Sequence, residues 1–392
     1  MSTVTIADPA HDAQLAAIEK SGWGHTFRFV QPRNPAFWLF CWMILLGAVE
    51  TFRNLSNGFE SVGSATTFMV VLFGVYTLPW VFFLRNVDRW SKMPGKLALA
   101  AFVWGGLTAT FMIAIKANGA MFSIWGKLFG GNWVQHWGPS ASAPWTEELA
   151  KGMGVLLLLV IGRNHVRSAF DGAILGAFVG VGFQVFEDMI YGINGALAGF
   201  GQDEVADALQ ISVMRLAVGF LSHGFYSALV GAGLVFILGT KTLRQQRGRG
   251  VLLVLAGMAL HGLWDCMAAL SIAVGMNSML LLLLTTGLEV VVAVTVFKRL
   301  AVGERSWMRD LMAPEVRRGT ITDEELAALS GSRKARKAYV KAAKGRTNHG
   351  VARNVIEAAT DLAEQIAIAR GTETDDVVFA RSEVARVRAV SA

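Results

Sequence analysis

Apolar runs separated by short polar connections extend from residue 36 to residue 297 of this chain. An α-helix rises 1.5 Å per residue, so about 20 apolar residues are enough to cross the hydrocarbon core of a bilayer. Eight charge-poor runs predict transmembrane helices, at residues 36–49, 66–84, 97–115, 147–162, 173–200, 211–239, 251–276 and 278–297. The stretch 119–137 is apolar and rich in tryptophan, but glycines and Lys127 interrupt it. We expect that stretch to be interfacial or re-entrant.

The composition agrees with a membrane protein. Hydrophobic residues make up 53% of the chain and charged residues 17%, whereas about 25% of the residues in an ordinary soluble domain are charged. This balance excludes a typical soluble fold. The predicted fold class is all-α, a polytopic membrane helix bundle with about eight transmembrane helices.

Basic residues alternate between the two sides of the predicted bundle. The second, fourth and sixth connections hold ten basic residues, which are Arg85, Arg89, Lys92, Lys96, Arg163, Arg167, Lys241, Arg244, Arg247 and Arg249. The odd-numbered connections hold three, which are Arg53, Lys116 and Lys127. Because cytoplasmic loops are enriched in Lys and Arg, we expect a multi-pass protein of the cell membrane with both termini in the cytoplasm.

The composition changes sharply beyond Lys298. Between Glu325 and Glu357 there is no acid, and the basic residues of that stretch are Arg333, Lys334, Arg336, Lys337, Lys341, Lys344, Arg346 and Arg353. Lysine, arginine and alanine favour helices, so we expect a small helical tail attracted to anionic lipid. We expect no nucleic-acid partner, because no recognition motif accompanies the charge. The predicted division is a cytoplasmic segment at 1–34, a transmembrane domain at 35–299 and a basic cytoplasmic tail at 300–392.

Four of the predicted spans carry ionisable groups where lipid tolerates few. An ionisable side chain inside a bilayer costs at least a few kcal/mol, and such residues usually face a partner or a water-filled cavity. The groups are Glu147, Glu148, Lys151, Glu187, Asp188, Arg215, His223, His261 and Asp265. Glu187, His223 and His261 fall 12–15 residues from the predicted outer ends of their spans, which places them at similar depth. We therefore expect one shared polar site, toward which Glu147 and Glu148 converge only if their helix begins below the surface.

Spacing within the spans assigns partners to these groups. Glu147 and Lys151 are four residues apart on one helical face, so Lys151 is expected to neutralise Glu147 and to leave Glu148 free. His261 and Asp265 have the same spacing, and the aspartate is expected to orient the imidazole. Asp188 and Arg215 are expected to contact the reacting groups and hold them in position without reacting themselves.

These residue types suit hydrolysis. Two histidines and a carboxylate are a sufficient protein ligand set for a catalytic zinc ion, so His223, His261 and Glu187 are the expected zinc ligands. Glu148 or Glu147 then takes a proton from water. A metal-free version uses the same residues, with a glutamate activating water directly and a histidine stabilising the oxyanion. The sequence leaves both versions open, and it contains no His-Glu-x-x-His motif.

The order of these motifs resembles the PrsW family of intramembrane proteases, which is related to the type II CAAX prenyl endopeptidases. The resemblance rests on Glu147-Glu148-x-x-Lys151, on Phe183-x-x-x-Glu187, on Arg215 with His223, and on His261-x-x-Trp264-Asp265. It implies that Glu147, Glu148, Glu187, His223 and His261 are catalytic or metal-binding. It also implies proteolysis of a membrane-anchored protein near the outer face, as for family members that cut anti-sigma factors. Asp188 and Asp265 differ from the asparagine of many relatives.

A proton-coupled transporter is the main alternative, because transporters also place Glu and His relays in the membrane. Such proteins are often built from inverted repeats. The first three predicted spans carry none of the cluster motifs, which argues against a repeat and favours the protease.

Overall fold

The structure of the protein is a computed structural model that describes residues 9–90, 92–200, 202–343 and 349–389. These residues form α-helices and no β-strand. The helices are α1 (Pro9–Ser21), α2 (Pro35–Ser61), α3 (Gly63–Val87), α4 (Gly95–Val103), α5 (Ile115–Phe129), α6 (Gly131–Ile161), α7 (Ala169–Ala198), α8 (Glu204–Val218), α9 (Ser222–Leu238), α10 (Arg247–Asp265), α11 (Met267–Val274), α12 (Ser278–Arg317), α13 (Asp323–Ser330), α14 (Arg333–Ala342), α15 (His349–Ile368) and α16 (Asp375–Ala389). A π-helical segment, Trp104–Ala114, joins α4 to α5 without interruption.

Within the described residues, five helices are long and apolar enough to cross a membrane, or seven if two bent helix pairs each form one span. The five are α2, α3, the continuous helix Gly95–Phe129, α7 and α12. This confirms the all-α polytopic membrane fold. The predicted span 147–162 lies in α6 and is not among the seven, because Glu147, Glu148 and Lys151 interrupt its apolar part. The number eight stays a prediction.

Two of the predicted spans are bent instead of continuous. The run 211–239 divides into α8 and α9, which meet at an angle of 46°, and the run 251–276 divides into α10 and α11 at 64°. Broken helices at membrane depth are tolerated where their freed backbone groups find partners inside the protein. Both breaks adjoin charged residues of the predicted site, because His223 is the second residue of α9 and Asp265 is the last of α10.

The stretch 119–137 is helical on both sides of a single break. Helix α5 ends at Phe129, Gly130 has a φ of +86° that favours glycine, and α6 begins at the next residue. Helix α6 therefore starts well before the predicted span, and Glu147 is the seventeenth of its 31 residues. The two adjacent acids therefore lie near the middle of a long helix. They can reach the other polar groups without the helix beginning below the membrane surface.

Helix α7 is buried over most of its length and packs closely on its neighbours. A Cβ atom on Gly176 would lie 2.0 Å from the carbonyl oxygen of Ser227, and one on Gly180 would lie 2.1 Å from that of His223. These approaches allow α9 to touch the backbone of α7, as small residues do in membrane helix pairs. Gly182 makes an equally close approach to Phe102 on the other side of α7. The glycines of α7 thus form small-residue faces toward α9 and toward α4.

The described residues form two compact units. The membrane unit contains those of 28–89 and 93–297, and the tail unit contains those of 1–27, 90–92 and 298–392. Helix α12 continues for 20 residues beyond Phe297, so no helix ends where the composition changes at Lys298.

The tail unit has its own apolar core. Its fully buried residues include Ile356, Leu362 and Ala363 of α15. A capping box at Thr322 starts α13. Burial and the neighbouring Glu325 carboxylate raise the pKa of Tyr339 to about 12. These features agree with the predicted helical tail, although two basic residues named in that prediction, Lys344 and Arg346, lie outside the described residues.

Candidate active site

Five helices of the membrane unit bring all the predicted site residues into one network. Helix α6 supplies Glu147, Glu148 and Lys151, α7 supplies Glu187 and Asp188, α8 supplies Arg215, α9 supplies His223, and α10 supplies His261 and Asp265. Glu147, Glu148, Lys151, His223 and His261 are each at most 3% exposed. Charged groups at this burial are stable only when they pair with one another, and the contacts described below provide that pairing.

Lys151 is the cation at the centre of this network. Its Nζ donates to Glu148 Oε1 at 2.6 Å and to His223 Nδ1 at 3.1 Å, while Glu147 Oε2 is 3.8 Å away. The ammonium also lies 4.1 Å from the centre of the Phe183 ring, a cation–π contact. The expected pairing therefore shifts, because Lys151 is nearer to Glu148 than to Glu147.

Glu148 has no free carboxylate oxygen. Besides the Lys151 bond, its Oε1 lies 3.0 Å from His261 Nδ1, and its Oε2 accepts from Ser227 Oγ at 3.1 Å. Glu148 thus fixes one ring nitrogen of His261 and leaves Nε2 facing the site. The expected orienting contact of Asp265 is longer, since its Oδ2 lies 3.4 Å from that Nε2.

Glu147 has one bound and one free oxygen. Asn118 Nδ2 donates to its Oε1 at 3.0 Å, whereas its Oε2 is buried without a hydrogen-bond partner among the described residues. This Oε2 lies 3.6 Å from His261 Nε2 and 3.9 Å from His223 Nδ1. A buried carboxylate oxygen without a partner costs free energy, so its place between two imidazoles needs a functional explanation.

Arg215 holds the acids of α7 beside the histidines. Its Nη2 donates to Glu187 Oε2 at 2.7 Å and its Nε donates to Asp188. Glu187 Oε2 is also 2.9 Å from His223 Nε2. Because the Lys151 ammonium only donates, His223 Nδ1 accepts and the Nε2–H donates to Glu187. Arg215 therefore contacts a reacting group and Asp188 contacts Arg215, and their supporting role stays a prediction.

The network opens to one side. The side chains of Glu187 and Arg215 are each 16% exposed and that of Asp265 is 18% exposed, in contrast to the buried centre. Tyr191, whose ring lies 4.0 Å from the Arg215 guanidinium, is 45% exposed. These four residues form the rim of the site. A separate surface groove of about 570 Å³, lined by residues such as Arg33 and Arg163, shares none of the cluster residues.

The break between α8 and α9 positions His223. The carbonyl groups that the break frees are bound within the membrane unit: Gln184 Nε2 and Ser222 Oγ donate to Gly219 O at 3.1 and 2.7 Å, and Thr286 Oγ1 donates to Val218 O at 3.2 Å. Gln184 of α7 thus stabilises the break directly.

The donor set can be tested for a metal ion. Among the described residues, Glu147, His223 and His261 each offer a ligand atom, and the three atoms lie within 4.8 Å of one another. Two imidazoles and a carboxylate are donors that zinc prefers. The free Oε2 of Glu147 lies 3.6 Å from His261 Nε2 and 3.9 Å from His223 Nδ1, so the group fits a metal ion in type and spacing. Binding through His223 Nδ1 requires that this nitrogen exchange its hydrogen bond from Lys151 for the metal. Glu187, the carboxylate ligand expected from the sequence, forms an ion pair with Arg215 through its Oε2, and its role as a ligand stays a prediction.

Sequence reasoning missed several polar residues that complete the site. Tyr226 stacks on His261 with ring centres 5.1 Å apart, and its hydroxyl donates to Glu289. Glu289 is an acid inside the last apolar run, and this was the sign of the contact in the sequence. Asn118 and Ser227 gave no comparable signal, because a single small polar residue is common in membrane helices.

Comparison with known proteins agrees with this geometry. Residues 93–298, more than half of the chain, match the sequence model of a family described as PrsW family intramembrane metalloprotease. No curated protein and no solved structure matches the chain. The matched region contains every residue of the cluster. The chain therefore belongs to the PrsW family of intramembrane metalloproteases.

Proposed function

We propose that this protein hydrolyses a peptide bond of a membrane-anchored protein at the buried cluster around Glu147. The observation that carries the proposal is the free Oε2 of Glu147, which is buried between His223 and His261. Hydrolysis needs a group that binds or activates water and charges that stabilise an oxyanion. The cluster provides both inside a membrane unit.

In the first version of the mechanism, Glu147, His223 and His261 hold zinc. When bound, zinc polarises a carbonyl group and makes water more acidic. Glu147 takes the carboxylate position that the spacing argument assigned to Glu187, because its oxygen is free and that of Glu187 is bound by Arg215. Glu148 is the proton acceptor, through an Oε2 that accepts one hydrogen bond, from Ser227.

In the second version no metal takes part. It is favoured by the position of Lys151, whose ammonium lies 3.1 Å from His223 Nδ1 and 3.8 Å from Glu147 Oε2. This cation already lowers the cost of burying adjacent carboxylates. Glu147 then accepts the proton of the attacking water, and His261 stabilises the oxyanion as an imidazolium, with its Nδ1–H donated to Glu148 and its Nε2–H toward the site. Both versions require Glu147, but only the first requires zinc.

The rim suggests how a substrate reaches these groups. Glu187, Arg215 and Asp265 are the partly exposed members of the network. Arg215 and Asp265 lie near helix breaks, and Glu187 is bound to Arg215. An extended segment of a substrate that reaches the rim from the bilayer contacts Glu187 and Arg215 before His223. With the termini in the cytoplasm, the site lies between the bilayer middle and its outer half. The substrate class is a membrane-anchored protein, and anti-sigma factors are the example that the family resemblance suggests.

The test compares two isosteric variants of the full chain in proteoliposomes mixed with a detergent-treated membrane extract. New peptide termini are identified by mass spectrometry, and metal content is measured in the same preparations. Glu147→Gln is expected to abolish the new termini and to leave the melting temperature near that of wild type, because the lost charge lies on an oxygen without a hydrogen bond. In the zinc version it also loses the metal.

Glu148→Gln is expected to behave differently. It abolishes cleavage too, but it lowers the melting temperature, because the neutral amide no longer forms an ion pair with the buried Lys151 ammonium. In the zinc version it keeps the metal. The proposal is contradicted if Glu147→Gln produces the same new termini at the wild-type rate.

A further inference from the structure

Asn118 lies where the helix preceding α6 touches the cluster. It is the fourth residue of α5, directly after the π-helical segment. No residue of α5 is fully buried, and its aromatic residues pack on α6 at the surface. Its polar contact with Glu147 is therefore notable, because an exposed helix contributes one side chain to a buried site.

The two ends of the Asn118 amide have different partners. Nδ2 lies 3.0 Å from Glu147 Oε1, and Oδ1 accepts from the Thr146 hydroxyl. A carboxylate only accepts hydrogen bonds, whereas a threonine hydroxyl can donate. Glu147 therefore requires the amide orientation with the NH₂ group toward its carboxylate, and the Thr146 hydroxyl, which also lies 3.1 Å from Ser142 O, can donate to Oδ1 in that orientation.

This contact determines which carboxylate oxygen faces the histidines. With Oε1 held by Asn118, Oε2 is left 3.6 Å from His261 Nε2 and 3.9 Å from His223 Nδ1. Without that bond, the carboxylate is free to rotate and to pair more closely with Lys151, whose Nζ is 3.8 Å from Oε2. Such a rotation would remove the free oxygen from its place between the rings.

We propose that Asn118, itself oriented by Thr146, is a positioning residue that holds Glu147 with its free oxygen directed at His223 and His261. The inference rests on the proposed function for its effect on cleavage, but the hydrogen bond itself is independent of that function. It applies to both versions of the mechanism, because Glu147 is either a zinc ligand or the proton acceptor.

The test uses four single variants of the full chain. Asn118→Ala removes the donor, Thr146→Val removes the hydroxyl that orients it, and Thr146→Ser restores that hydroxyl. Ser123→Ala is the matched control on α5, because Ser123 Oγ donates to Gly119 O on its own helix. Cleavage is measured by the proteoliposome assay above, and melting temperatures are measured in detergent without added metal.

Loss of a residue that orients a metal ligand typically costs about 10–100-fold in metal affinity or activity. We expect Asn118→Ala and Thr146→Val to lower the cleavage rate by about that factor, with Thr146→Ser and Ser123→Ala close to wild type. If zinc is bound, the first two variants are also expected to release it faster to a chelator.

A double-mutant cycle separates positioning from general destabilisation. The drop in melting temperature caused by Asn118→Ala is expected to shrink by at least half in a Glu147→Ala background, because the bond is already absent there. Equal drops in both backgrounds would overturn the inference, as would unchanged cleavage in Asn118→Ala. If wild type shows no Glu147-dependent cleavage, the proposed function fails, and the cycle alone still decides whether Asn118 holds Glu147.

Discussion

Replacing Gly180 by alanine tests whether the close contact between α7 and α9 sets the position of His223. The added Cβ would lie 2.1 Å from the carbonyl oxygen of His223, and Cβ atoms essentially never approach other atoms within 3.0 Å. The oxygen belongs to the backbone, so no side-chain rotation relieves the contact. Helix α9 must move away from α7 by about 0.9 Å at this point.

The size of the effect follows from that displacement. Overpacking a well-packed interior costs about 1–3 kcal/mol. A catalytic group displaced by about 1 Å typically loses about 100-fold in rate. We expect Gly180→Ala to lower the rate at which Glu147-dependent termini appear by about that factor, with a modest fall in melting temperature.

Two controls distinguish the effect of a displaced His223 from the effect of a general loss of stability. A Cβ on Gly152 of α6 would meet only ordinary contacts at 3.7 Å, so Gly152→Ala is expected to be near neutral. A Cβ on Gly250 would lie 2.5 Å from Gly233 O, which is ten residues from His223 along α9, or about 15 Å. Gly250→Ala is expected to lose stability but keep most of its activity. The reasoning is refuted if Gly180→Ala cleaves as fast as Gly152→Ala.

Two further predictions concern the membrane orientation and the tail unit. Val205→Cys is expected to react with an impermeant thiol reagent in intact cells and Arg244→Cys is not, with the unmodified chain as background; reversed labelling would overturn the orientation. Arg381 binds the buried Glu315 through two nitrogens, each at 2.8 Å. Arg381→Ala is expected to destabilise the tail unit by about 2–3 kcal/mol, seen as faster hydrogen exchange in α16. The exposed pair of Arg386 provides the control, because Arg386→Ala is expected to change nothing, and equal exchange in the two variants would contradict the prediction.

The sequence predicted the class of the protein and the residues of the site, but not how those residues pair. Ionisable groups in apolar runs are conspicuous because lipid penalises them. For this reason Glu147, Glu187, His223 and His261 were identifiable without coordinates. Their depth along separate helices also indicated one shared site, and the structure brings them together.

Which of the ionisable side chains pair depends on contacts between helices. Residue spacing along one helix does not give those contacts. Lys151 is four residues from Glu147 and three from Glu148, and both separations allow contact on a helix. The choice between them depends on other helices, because His261 and Ser227 hold Glu148 whereas Asn118 holds Glu147. Asn118 was missed for the same reason, since its role depends on how the hairpin of α5 and α6 folds at Gly130.

The helix breaks were missed because hydrophobicity continues through them. The run 211–239 is apolar on both sides of Gly219, so its periodicity gives no sign of a bend. The bend is stabilised by Gln184 and Thr286, which lie on other helices. A broken helix supported from elsewhere in the bundle cannot be recognised from its own sequence.

Cleavage and metal content measured on the same purified protein test the central claim, that Glu147 lies at the site of hydrolysis, most directly. Both versions of the mechanism predict loss of cleavage in Glu147→Ala. The zinc version also predicts one zinc ion per chain in wild type, its loss in Glu147→Ala and His261→Ala, and its retention in Glu187→Ala, because Glu187 lies outside the donor group. Active wild-type protein without a stoichiometric transition metal would contradict the zinc version, and cleavage by Glu147→Ala at the wild-type rate would contradict the site itself.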